Sequence, residues 1–127
     1  MSEILKAFND HFTEFVTDVQ SVFPNDIDIL NAQKYLFLIR KNNPKLLIKI
    51  WKDFIADKYR EKIERGDLQF FLEKDYSDDI ENTNNSIQIM DSINRLRNPI
   101  KQMSKENQDK SIKYIQNLTK LCYLYKV

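Results

Sequence analysis

The side chains that could do chemistry here are few and scattered. A single histidine, His11, sits beside the apolar series Phe8, Phe12 and Phe15, so a histidine-based metal site or catalytic triad would have to recruit it. Its place on the edge of that series reads more simply as a boundary histidine satisfied by water or a neighbour. The one cysteine, Cys122, falls near Leu118 and Leu121 on the buried edge of a predicted helix, where a free thiol acts as a small hydrophobe. Nothing in the sequence supplies a base to activate it.

Asp75, Asp78, Asp79 and Glu81 carry oxygens suited to a hard cation, but they lack the glycine-punctuated spacing of a calcium loop. Paired-carboxylate hydrolysis requires two acids held at a fixed separation in a cleft, and nothing in the sequence of this stretch indicates the rigidity that would hold them. Gly66 is the only glycine, so neither a phosphate-cradling loop nor a dinucleotide fingerprint can be written. Arg65-Gly66-Asp67 spells an adhesion tripeptide, yet a helix-ending glycine followed by a capping aspartate explains it. Asn84-Asn85-Ser86 and Asn117-Leu118-Thr119 match the glycosylation pattern, the second in mid-helix. The expectation is a non-enzymatic protein with no catalytic residue, metal ligand, cofactor or small-molecule substrate.

The elements around these residues follow from period and punctuation. Ile4, Leu5, Phe8, Phe12, Phe15, Val16, Val19 and Phe23 recur at steps of three and four, which predicts an amphipathic helix over 3–22 ended by Pro24. Glu3, Asp10, Glu14 and Asp18 fall on its opposite side. Asn25 or Asp26 caps a second helix to about Arg40, carrying Ile27, Leu30, Leu36 and Ile39. Asn42-Asn43-Pro44 is a turn into a third helix running to about Arg65, with Leu47, Ile50, Trp51, Phe54 and Ile55 inward. Lys45, Lys49, Lys52 and Arg60 point away, and Lys41 extends that row into the turn. Gly66 suits a left-handed C-terminal cap. A short fourth helix is expected at 67–72, a mobile acidic loop at 75–85, and a fifth helix at 86–98. Ser104 caps a last helix with Ile112, Ile115, Leu118, Leu121, Cys122 and Tyr125 on one side and Lys110, Lys113 and Lys120 on the other. The expected fold is all-α: residues 1–127 as one compact domain, a bundle of five or six helices.

Composition bounds the class. With 42% hydrophobic and 31% charged residues the chain can bury a core without a staple. One cysteine excludes an internal disulfide framework and fits a reducing compartment. No apolar run approaches the roughly 18 residues of a membrane span, and the acidic, amphipathic N-terminus is unlike a secretory signal. A soluble cytoplasmic protein is expected, with no membrane partner.

Charge carries more information than chemistry. The net +1 conceals four blocks: residues 1–30 hold six acids and one base, 31–62 nine bases and three acids, 63–83 seven acids and two bases, 84–127 eight bases and three acids. Rows of opposite sign on different helices suit a protein partner or self-association, steering encounter more than supplying affinity. Tyr114, Tyr123, Tyr125, Tyr35 and Phe37 add aromatics suited to an interface. The alternative is nucleic-acid binding through the basic face of the third helix. Near-zero net charge and the excess of lysine over base-reading arginine weigh against it.

Val22-Phe-Pro-Asn-Asp-Ile-Asp-Ile-Leu30, Ile39-Arg-Lys-Asn-Asn-Pro-Lys-Leu-Leu-Ile-Lys-Ile-Trp51, Gly66-Asp-Leu-Gln-Phe-Phe-Leu-Glu-Lys-Asp-Tyr76 and Tyr114-Ile-Gln-Asn-Leu-Thr-Lys-Leu-Cys-Tyr-Leu-Tyr125 resemble segments of small helical proteins encoded by large nucleocytoplasmic DNA viruses of algae and protists. The resemblance covers nearly the whole chain, contains no diagnostic catalytic motif and carries over no functional residue. It implies a viral product of the host cytoplasm or the virion, a minor structural or assembly component.

Overall fold

The long apolar stripe at the N-terminus forms the backbone of the core. Helix α1, Glu3–Val22, turns Leu5, Phe8, Phe12, Phe15, Val16 and Val19 fully inward, each such side chain contributing about 1.5–3 kcal/mol. A computed structural model describes residues 3–67, 92, 95, 96 and 99–125, and among them there is no strand. The fold is all-α. The expected helix at 67–72 beyond Asp67, the acidic stretch at 75–85 and most of the expected helix at 86–98 lie outside the described residues.

Helix α2, Ile27–Asn42, begins where the Asp26 side chain accepts the Ile29 amide at 3.2 Å, a side-chain N-cap that satisfies one orphan donor. Ile29, Ala32 and Leu36 are its buried residues. The turn after it is pinned to α1, because the Asn9 side-chain amide donates to the Pro44 carbonyl at 2.9 Å.

One continuous third helix is not what forms. Helix α3, Leu46–Ile50, passes into a π-helical segment, Trp51–Ala56, and then into α4, Asp57–Glu64, which is kinked at Tyr59 (φ −127°, ψ 24°). The burial pattern gives the reason. Ile50 and Ile55, and Trp51 and Ala56, are all at most 3% exposed and lie five residues apart. Five residues make about 1.4 turns of α-helix, which would swing the second of each pair out of the core. Hydrogen bonds of the i→i+5 type bring them back toward one side, and the Asp57 amide donates to Lys52 O in that pattern.

Helix α4 ends as the lone glycine predicts. Gly66 takes φ 73°, its amide donates to Ile63 O at 2.9 Å, and the Asp67 amide donates to Lys62 O at 3.0 Å. Together these make a Schellman cap. Gln116 then donates its side-chain amide to Ile63 O at 3.0 Å, tying this end to helix α5, Lys105–Leu124, whose own N-cap is Ser104.

Trp51 joins the parts. Its ring meets Phe8 and Phe12 of α1 edge-on, at 6.4 and 6.0 Å between centroids. Its indole N–H donates to Thr119 Oγ1 of α5 at 3.1 Å. The π-helical segment is thus placed between the two longest helices among the described residues, which also pack on each other.

Candidate interaction surface

The acidic row comes first because the fold uses most of it. Glu3, Asp10, Glu14 and Asp18 are all exposed on α1. Asp10 accepts from Lys6 at 3.1 Å and from the Arg40 guanidinium of α2, whose other amino group donates to Thr13 Oγ1 at 2.8 Å. The hydrogen bond from Arg40, and then that from Lys6, holds the Asp10 carboxyl below its usual range. Glu14 and Asp18 converge on α5: the Tyr114 hydroxyl lies 2.6 Å from Asp18 Oδ2 and 3.1 Å from Glu14 Oε1. Burial, and then these two carboxylates, push the Tyr114 phenol up, since its ionised form would stand against two negative charges. The row expected as a free docking ribbon is therefore, from Asp10 to Asp18, a set of partners for α2 and α5.

The basic residues divide. Lys41, Lys45 and Lys49 are exposed, and among the described residues no carboxylate lies within ion-pair distance of them. Lys52, in the π-helical segment, is half-buried. Arg60 does not continue the row. Its guanidinium lies over the Tyr123 ring at 4.7 Å, and its Nε donates to Glu64 at 3.0 Å, so it belongs to the seam between α4 and α5. The π-helical segment and the kink at Tyr59 break the register that an unbroken helix would have kept.

On α5, Lys110 and Lys113 line an open cleft of about 350 Å³ with His11, Glu14, Asp18, Tyr114 and Asn117. They face the acidic row of α1 rather than a separate surface. Lys120 borders another cavity, of about 450 Å³, beside Arg60, Glu64 and Tyr123.

Burial pushes the Cys122 thiol up to about 12, which leaves it protonated and inert at neutral pH. His11 is half-buried with its ring 4.7 Å from Tyr114, and its Nε2 is buried without a hydrogen-bond partner. Among the described residues no three metal-capable side chains cluster, and no helix is long and apolar enough to cross a membrane.

The tyrosines expected at an interface are half-buried and pack on the core. Among the described residues five large apolar side chains are exposed, three of them on α2: Ile27 at 70%, Leu38 at 54% and Phe37 at 37%, with Val22 and Leu124 standing singly at the ends of α1 and α5. Sequence reasoning set Ile27 among the inward residues and passed over Ile29, which the core takes. The available signal was that Ile27 and Leu38, eleven residues apart, share a side of α2 opposite Ala32 and Leu36. Comparison with family models, with curated proteins and with solved structures finds no match to this chain.

Proposed function

We propose that this chain is a non-enzymatic helical interaction protein whose exposed lysines meet an acidic partner. The observation that supports it is the contrast between the two rows. Asp10, Glu14 and Asp18 of α1 are answered by Arg40, Lys6 and Tyr114, whereas Lys41, Lys45 and Lys49 stay exposed with no carboxylate near them among the described residues. Charge left unanswered inside a fold is available to a partner, where it steers association and fixes register. A role in assembling a virion in host cytoplasm rests on the segment resemblance alone.

The test reverses Lys41, Lys45 and Lys49 together to glutamate, sparing half-buried Lys52, and follows sedimentation and co-purification of bound protein. Association should weaken and become less sensitive to salt. An unchanged profile rejects the proposal.

The same lysines favour a second reading, binding to nucleic acid. Titration of labelled DNA and RNA at two salt concentrations separates the two, since phosphate contacts lose affinity steeply with salt. Absence of binding at low salt removes this reading.

A further inference from the structure

The outer face of α2 is ordered in a way that the basic residues alone do not explain. Ile27, Asn31, Lys34, Leu38 and Lys41 follow one another at steps of four and three, which sets them in one row along the helix. All five are exposed, and Leu30 and Phe37 border the row on one side. The row spans about 21 Å, four turns of helix. Ile27 and Leu38 cost solvation there and contribute nothing to the core. Lys34 and Lys41 have no carboxylate partner among the described residues.

From this alternation we infer that α2 is the seat for an amphipathic helix of a partner protein, one with apolar residues opposite Ile27 and Leu38 and acidic residues opposite Lys34 and Lys41. This rests on the proposed interaction role and names its partner's chemistry. A helix laid on a helix reads its neighbour through side chains every three or four residues, the spacing α2 presents. The charge is complementary only to an acidic partner.

A second copy fits poorly. Parallel pairing of two α2 helices sets Lys34 on Lys34 and Lys41 on Lys41. Antiparallel pairing that matches Ile27 to Leu38 brings the two Lys34 ammonium groups to within about one turn of each other at the centre of the contact. An anionic lipid surface fits less well too. Ile27 is flanked by Asp26 and by exposed Asp28, and a broad negative plane reaching Ile27 would meet both, whereas a single helix need follow only the row.

The experiment uses the full chain and two labelled synthetic helices of equal length. Each repeats leucine at alternating three- and four-residue steps, one flanked by glutamates and the other by lysines at the same positions. Fluorescence anisotropy should show the glutamate helix binding and the lysine helix not. Ile27→Asp and Leu38→Asp should each weaken binding about tenfold or more while circular dichroism and the melting temperature hold, since both side chains are exposed. Lys34→Glu with Lys41→Glu should reverse the preference between the two helices. The inference is overturned if both helices bind alike, if neither binds, if Leu38→Asp leaves affinity unchanged, or if phosphatidylserine vesicles retain the protein while the glutamate helix does not. Glutamate-helix binding lost with Lys41, Lys45 and Lys49 reversed but intact in Ile27→Asp and Leu38→Asp would reject the α2 seat and leave the interaction role standing. Binding indifferent to every variant would reject both.

Discussion

Helices α1 and α2 pack side by side yet deploy their apolar residues in opposite ways. In α1 the apolar residues with a share in the core are buried almost completely, from Leu5 to Val19, and Asp10, Glu14 and Asp18 on its other face are held by Arg40, Lys6 and Tyr114. In α2 only Ile29, Ala32 and Leu36 are buried, while Ile27, Phe37 and Leu38 stand in solvent beside lysines without partners among the described residues. A helix made only to fill a core has no use for the second arrangement. The difference teaches that α1 belongs to folding and that the outer half of α2 is free for another task.

The strongest way to break this comparison is to truncate an apolar side chain on each helix. Phe8→Ala should destabilise the protein by about 3–5 kcal/mol, because Phe8 is fully buried against Phe12 and Trp51. Leu38→Ala on α2 should stay within about 0.5 kcal/mol. Urea unfolding of the two variants measures both. Equal losses would mean that the outer face of α2 supports the core as fully as the inner face of α1.

A smaller effect is expected where α5 meets the π-helical segment. Thr119→Val keeps the shape but removes the acceptor of the Trp51 indole N–H, leaving a buried donor unpaired at a cost of about 1–3 kcal/mol. Trp51→Phe, which removes donor and ring edge together, should couple with Thr119→Val. In a double-mutant cycle the second substitution then costs less than it does alone.

Alkaline pH probes the seams of α5 as a set. Tyr114, Tyr123 and Cys122 all keep their protons longer in the folded protein than in the unfolded chain: burial leads for each, aided by Asp18 and Glu14 at Tyr114 and by Asp57 at Tyr123. Tyr123 is pushed up to about 12 by burial and by its 2.8 Å hydrogen bond to Asp57. A folded-state value above the unfolded one gives stability that is complete below the unfolded value and lost as pH rises past it. Stability should therefore fall as pH climbs from about 9, the ordinary thiol value, through 10, that of a phenol, toward 12. Tyr123→Phe and Tyr114→Phe should each flatten this decline in melts run at successive pH values. An unchanged slope in both would show that the phenols are not held as described.

Much of this architecture was legible in the residues. The apolar stripe from Ile4 to Val19, the Pro24 stop, the Asp26 and Ser104 caps and the Gly66 terminus depend on local rules, and each formed at or next to its expected position. What stayed hidden depended on contacts between distant segments. The π-helical segment returns Ile55 and Ala56 to the side of the core where Trp51 meets Phe8, Phe12 and Thr119, contacts with α1 and α5 that spacing within 44–65 does not reveal. The seating of Arg60 on Tyr123 and of Arg40 on Asp10 likewise joins residues more than twenty positions apart. Charge rows can be read from sequence, but whether the fold itself answers them cannot.

The smallest effects sharpen the comparison most finely, because they set one basic residue of each kind side by side. Arg40 serves the fold: Arg40→Glu removes the donor to Thr13 and sets a second carboxylate against Asp10. Asp10 then loses the partner that holds its carboxyl low, so the stability it supplies above its ordinary value of 3.8, lost on acidification, should shrink. Lys49 is exposed and touches no carboxylate among the described residues, so Lys49→Glu should change folding by no more than about 0.5 kcal/mol. It should instead weaken association with an acidic partner, more at low salt than at high, because exposed charges act over a Debye length of about 10 Å at 0.1 M. Thermal melts at neutral pH alongside anisotropy with the glutamate helix would separate the two residues. Were Lys49→Glu to cost as much stability as Arg40→Glu, the basic row would be another internal partner of the fold, with no part in docking.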